Sequence, residues 1–178
     1  MMTERITSQY RLDNVRNGIV HIGLGAFHRA HQAVYIERFL QANDGGDWGI
    51  IAANIRSNIS LVKQLADAGY QYHVVEYSGS QHATIRQVSA ITHSIYGGDD
   101  RTELLAALAD PAIKIVTLTV TEKGYGIEPA SGRLNSHDRA VSHDLNNVSG
   151  VASVPGLLNT ALAARRTAGL AGFTVLSC

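Results

Sequence analysis

The sequence predicts an α/β fold of the Rossmann-like, doubly wound kind: a mostly parallel sheet with helices on both faces and an inserted β-hairpin. Three observations carry that prediction. Short β-branched runs alternate along the chain with segments of helical periodicity. A Gly-x-Gly turn, Gly23-Leu24-Gly25, sits between the first such run and the first helix. A nearly continuous apolar run, Ile113 to Val120, has the composition of a central strand covered on both faces.

Taken in order, residues 1–17 read as an irregular lead-in, and residues 18–178 as one Rossmann-like domain. Ile19-Val20-His21-Ile22 is a strand stopped by glycine. Ala33, Val34, Ile36, Phe39 and Leu40 recur at helical spacing between Ala30 and about Ala42, and Asn43-Asp44-Gly45-Gly46 ends that helix. Gly49 to Ile55 is a second strand, Asn58 to Ala68 a second helix ended by Gly69, and Tyr72 to Tyr77 a third strand. His82 to Ile95 alternates polar and apolar residues, which predicts a hairpin around Gln87, inserted after that third strand. A helix over Arg101 to Leu108, with Asp99 or Asp100 as N-cap, leads into the Ile113 strand. Glu128 to Ser149 is rich in turn formers and reads as a surface excursion. A helix over Val154 to Ala168, ended by Gly169, precedes a last strand, Phe173 to Leu176. That strand should be interior, and on this ground the chain is expected to be the first part of a longer protein.

Composition narrows the function. Of 178 residues 45% are hydrophobic and 17% charged, so the chain has enough apolar material for a packed core. Lys plus Arg balances Asp plus Glu at 15 each, which leaves no electrostatic footprint for nucleic acid or an anionic membrane. Small molecules or other proteins are the expected partners. The single cysteine, Cys178, allows no internal disulfide and fits a reducing compartment. With no leader-like apolar run at the start and no apolar stretch of membrane-spanning length, the expected location is cytoplasmic.

In a dinucleotide fold the first glycine of the turn permits the tight bend and the second lets a pyrophosphate approach the backbone. The helix start that follows offers free N–H groups and a positive dipole end. Gly23 and Gly25 fit those roles, with His28 where a third glycine would ease packing. At the end of strand two an acid normally takes the ribose hydroxyls, but the stretch here is Ala53-Asn54-Ile55-Arg56-Ser57. Asn54 suits a ribose hydroxyl, whereas Arg56 and Ser57 suit a 2′-phosphate, so NAD and NADP both stay open. Arg56 as a plain solvated charge is the alternative. Topology adds a third site. The Ile113 strand ends in Thr119-Val120-Thr121-Glu122-Lys123-Gly124-Tyr125, which brings hydroxyls and charges opposite the glycine turn, where a nicotinamide would lie.

The eight histidines raise the question of a metal. His28 and His31 share a spacing but no third or fourth donor accompanies them, so no metal site is expected. No Ser-His-Asp or Cys-His arrangement is evident either.

Gly23-Leu24-Gly25-Ala26-Phe27-His28-Arg29-Ala30-His31-Gln32, followed by Thr119 to Tyr125, resembles the mannitol dehydrogenase family of long-chain polyol dehydrogenases. Within that family the chain is most similar to the fructuronate reductases, or D-mannonate oxidoreductases. The ending Phe173 to Cys178 matches a stretch that in the family runs on into an Asp-Asn pair, and the likeness extends from about Gly18. The resemblance implies reversible hydride transfer between a nicotinamide cofactor, NAD by preference, and a sugar acid or polyol. It implies metal-independent chemistry, with a lysine of a helical C-terminal domain as general acid/base, so no catalytic residue is assigned in this chain. For the cofactor it implies Gly23, Gly25, Ala26 and Phe27 at the pyrophosphate turn, Asn54 and Arg56 at the ribose end, and Thr121 and Glu122 near the nicotinamide. A histidine at position 28 is usual for the family. Mannitol, arabinitol or altronate dehydrogenases are alternatives within it. A non-catalytic nucleotide-binding module is the alternative from another class.

Overall fold

A computed structural model describes residues 2–79, 82–98, 100–146 and 149–177; the side chains of Met2 and Glu122 also lie outside the described portion. Five parallel strands form the main sheet: β2 (Val15–Ile22), β3 (Gly46–Asn54), β6 (Ile91–Tyr96), β7 (Ile115–Leu118) and β8 (Thr174–Ser177). Their spatial order is β6-β3-β2-β7-β8, so the order reverses between β2 and β7. This is the doubly wound arrangement that the alternating pattern predicts. The other three strands, β1 (Met2–Ile6), β4 (Tyr72–Ser78) and β5 (His82–Val88), make a separate sheet of order β1-β5-β4.

The helices pack on both faces because β2 and β3 are apolar on both. Val20, Ile22, Ile51 and Ala53 face α4 (Thr102–Ala109) and α6 (Val154–Thr167), meeting Leu104, Leu108, Leu157 and Ala161. Ile19, Ile50 and Ala52 belong to the opposite core, with Ala33, Val34 and Leu40 of α2 (Gln32–Ala42) and Val62 and Leu65 of α3 (Ile59–Asp67). α6 starts where the sequence places it: the Ser153 hydroxyl accepts from the Gly156 amide at 3.0 Å and a proline stands in the first turn.

Several expectations are corrected. The lead-in is not irregular: β1 pairs in parallel with β5, and β2 already begins at Val15. Polar spacing hid β1, since Thr3, Glu4 and Arg5 are exposed on an edge strand. Tyr72 to Tyr77 is not the third strand of the main sheet. It pairs antiparallel with β5, and β6 is the strand that lies beside β3. The hairpin is therefore β4–β5, inserted before the third strand of the main sheet, and Gln87 lies within β5, paired with His73. The first helix breaks at His31 into α1 (Ala26–Ala30) and α2. The 128–149 excursion holds α5 (Arg139–Leu145), capped by Asp138, whose carboxylate accepts from the Ala140 and Val141 amides. Asp100 accepts from the Thr102 amide at 2.9 Å and so serves the start of α4, while Asp99 lies outside the described residues. The last strand is not interior here: β8 is exposed along its length, with Val175 at 41% and Leu176 at 47%. Only Phe173, just before it, is buried.

Candidate functional site

At the carboxyl ends of β2, β3 and β7 a cleft opens where the strand order reverses. Its walls are Ile22 and Gly23 from β2, Asn54 to Ser57 after β3, Thr119 to Thr121 and Gly124 after β7, and Val154 at the start of α6. The topology thus brings Gly23, Asn54, Arg56 and Thr121 together, as the sequence predicts. Gly25, Ala26 and Phe27 are not among the walls; they form the start of α1, directly after the turn. Glu122 opens a 3-10 turn over Glu122–Tyr125, and its side chain lies outside the described portion.

The two glycines are needed for different reasons. Gly23 has φ +114, and a Cβ there would lie 2.7 Å from the Thr119 carbonyl oxygen and hydroxyl, so the fold itself demands glycine. Gly25 has φ −119, which any residue tolerates, and a Cβ would meet nothing closer than the Gly23 oxygen at 3.7 Å. The protein leaves space above Gly25 that it has no packing reason to leave. The Gly23 and Leu24 amides both donate to the Ala53 carbonyl, at 2.8 and 3.3 Å, which ties the turn to the end of β3.

Behind the turn lies a buried polar cluster that sequence reasoning missed. His21 and Thr117 are register partners in β2 and β7, both fully buried. The His21 ring places Nδ1 2.7 Å from the Thr117 hydroxyl and Nε2 3.1 Å from the Gly23 carbonyl. His28 stacks on it, centroids 3.4 Å apart and planes 9° apart, with its Nδ1 3.1 Å from the Gln32 side-chain oxygen. Burial holds His21 down to about 4. Burial, with His21 as neighbour, holds His28 down to about 2. Both rings are neutral at pH 7. The pairing of His28 with His31 does not occur: His31 is exposed and stacks on Phe27 at 4.9 Å. The available signal was a histidine inside an apolar strand run, which needs a buried partner.

The ribose-end residues divide. Asn54 is buried and its Nδ2 donates to the Leu24 carbonyl at 3.3 Å, so it braces the turn. Arg56 and Ser57 are exposed in the cleft wall. Among the described residues no group of three or more His, Cys, Asp or Glu is placed to hold a metal ion, and no helix is long and apolar enough to cross a membrane.

With this geometry in hand, the comparisons with known proteins are specific. The family profile described as mannitol dehydrogenase Rossmann domain matches residues 17–178. The chain is 39% identical over 163 residues to the D-mannonate oxidoreductase of Escherichia coli K12, a match covering 90% of this chain and 33% of that protein. It is 36% identical to the polyol:NADP oxidoreductase of Gluconobacter oxydans 621H, over 95% of this chain and 35% of the relative. The solved ternary complex of Pseudomonas fluorescens mannitol 2-dehydrogenase with NAD and D-mannitol superposes with a TM-score of 0.92 at 36% identity, over 98% of this chain and 36% of that one. The chain spans about a third of the length of these relatives.

Proposed function

This chain belongs to the mannitol dehydrogenase family, and on that premise we propose that it is the nicotinamide-dinucleotide-binding domain of an oxidoreductase. The protein would transfer a hydride between NAD(H) and a sugar acid or polyol, with the fructuronate/mannonate pair as substrate. The observation that carries the cofactor reading is the free space at Gly25, beside a cleft at the point of strand reversal. A dinucleotide pyrophosphate is the group that such a turn admits.

In this reading Gly23 and Gly25 shape the cradle, and the first amides of α1, at Ala26 and Phe27, face the pyrophosphate. Asn54, with one amide hydrogen committed to Leu24, keeps its Oδ1 for a ribose hydroxyl. Thr121 and Glu122 stand near the nicotinamide. The cofactor, when bound, supplies the hydride; this chain's residues bind and orient it. No proton-transferring residue is assigned here, and the helical catalytic part of the relatives is the proposed partner. The sugar-acid preference leans on the D-mannonate oxidoreductase relative, with the polyol relatives of similar identity as the competing choice.

A specific observation favours a second cofactor. Arg56 and Ser57 are exposed where an acid would select NAD, and one relative is named for NADP. Titrating the purified chain with NADH and NADPH separately, by cofactor fluorescence, tests both readings. Saturable binding of NADH is expected. Binding of NADPH alone would move the assignment to NADP, and binding of neither by a cooperatively folded chain would overturn the cofactor reading.

A further inference from the structure

The three consecutive carbonyls of the glycine turn are all taken by side chains of the protein. The Gly23 oxygen lies 2.8 Å from the Thr119 hydroxyl and 3.1 Å from His21 Nε2. The Leu24 oxygen accepts from Asn54 Nδ2 at 3.3 Å. The Gly25 oxygen accepts from Arg29 Nε at 3.3 Å and from the Arg29 amide at 3.2 Å.

The His21 ring is held at both nitrogens. Its Nε2 faces two oxygens, the Gly23 carbonyl at 3.1 Å and the Thr119 hydroxyl at 3.0 Å, and its Nδ1 faces the Thr117 hydroxyl at 2.7 Å. The Thr117 hydroxyl also lies 3.1 Å from Gln32 Oε1. His28 Nδ1 lies 3.1 Å from that same Gln32 oxygen. The stacked pair is fully buried, and His21 Nδ1, His21 Nε2 and His28 Nδ1 each have a partner within the protein.

A peptide plane has two ends. Where the oxygen is drawn into the protein, an arriving phosphate meets no carbonyl dipole of opposing sense, while the Leu24 amide of the first plane is itself held by the Ala53 carbonyl. Resting on the dinucleotide reading above, we infer that His21, Thr119, Asn54 and Arg29 are positioning residues that turn the Gly23, Leu24 and Gly25 carbonyls away from the cofactor's pyrophosphate. This assigns Thr119 a role different from its neighbour Thr121. Its hydroxyl is spent on the turn, and it links the end of β7 to that of β2 across the point of strand reversal.

Thr119→Val removes the hydroxyl proton at constant shape, and Thr119→Ser keeps it. His21→Leu gives an independent test, because His21 is fully buried and touches no ligand. For each variant, the NADH dissociation constant and the melting temperature of the ligand-free chain are measured. The expected result is binding about five- to tenfold weaker in Thr119→Val, from one lost hydrogen bond to the carbonyl. Its melting temperature should fall by no more than about 2–4 °C, the cost of one hydrogen bond, and Thr119→Ser should bind within about twofold of the parent. His21→Leu should weaken binding at least as much, and if it fails to fold the Thr119 pair still decides. Parent-like binding by Thr119→Val, or a Thr119→Ser as weak as Thr119→Val, would overturn the inference while leaving the cofactor reading intact. A parent chain that binds neither NADH nor NADPH would overturn both.

Discussion

Two buried polar clusters hang on the same helix, α2, and they are built on opposite logic. Around Glu37 a carboxylate is buried and every neighbour donates to it: the Ser8 hydroxyl at 2.5 Å, the Tyr10 hydroxyl at 2.8 Å and the Ser89 amide at 2.7 Å. Burial and the adjacent carboxylate push the Tyr10 phenol above its ordinary range, so it stays a donor. One turn and a half earlier on α2, Gln32 joins the His21–His28 stack, where both rings are neutral and His28 Nε2 has no hydrogen-bond partner. The first cluster joins the segment before β2, α2 and the Ser89 crossing between the two sheets. It holds tertiary structure away from the Gly23 cleft, and Glu37 lines a separate small pocket with Thr7 and Arg86. The second stands directly behind the glycine turn and leaves one ring nitrogen without a partner. The Glu37 carboxylate is fully paired, whereas the histidine stack beside the site carries a deficit.

The largest expected effect breaks the first cluster. Glu37→Ala strands the Tyr10 and Ser8 hydroxyls and the Ser89 amide, and should cost about 3 kcal/mol in urea unfolding. NADH affinity of the folded fraction should be unchanged, and a cost below about 1 kcal/mol would mean the donors find water.

Next comes a pair of substitutions that separates fold from site within the turn. Gly23→Ala forces a Cβ against Thr119 at a positive φ and should destabilise by about 2 kcal/mol or more while weakening binding. Gly25→Val should abolish NADH binding and change stability by less than about 1 kcal/mol. Equal stability losses in the two would remove the distinction between them.

A smaller effect is expected from acid. His21 and His28 have folded-state values depressed below the unfolded value of about 6.5. Their contribution to stability is therefore fully present above about pH 6.5. As pH falls from there toward 4 and then 2, the unfolded chain takes up protons that the folded one refuses, and stability is lost. Each contributes at most about 1.4 kcal/mol per pH unit. Melting temperature should fall between pH 7 and 5, and His28→Gln should flatten that fall. A profile identical in the variant would contradict the neutral, buried state.

Smallest is Arg56→Asp, which should lower the NADPH-to-NADH affinity ratio by about tenfold and leave stability alone. A ratio that stays put makes Arg56 a surface charge.

How far the sequence could be read follows the same division. The doubly wound class and the strands at the reversal were legible because β2, β3 and β7 are apolar runs punctuated by glycine and turn residues, whereas β6 as third strand of the main sheet was not. The small sheet was not, because half-buried alternation in β4 and β5 does not say which sheet a strand joins. At the site, residues at chemically expected places on the turn and strand ends were found by spacing, and Gly23, Asn54, Arg56 and Thr121 do meet in one cleft. The bracing of the turn was not found. It depends on His21, Thr117 and Thr119 meeting across strands that are about a hundred residues apart in sequence, and no local pattern encodes a cross-strand register. Asn54 shows the limit most clearly: its place at the end of β3 was legible, but its commitment to Leu24 was not.

The most direct test of the cofactor site is where NADH acts on the chain. Backbone amide shifts of the labelled protein, followed through an NADH titration, should move most at Gly25, Ala26, Phe27 and Thr121. Amides around Glu37 and along β4 should stay still. Largest shifts away from the glycine turn, or none at saturating NADH, would contradict the account.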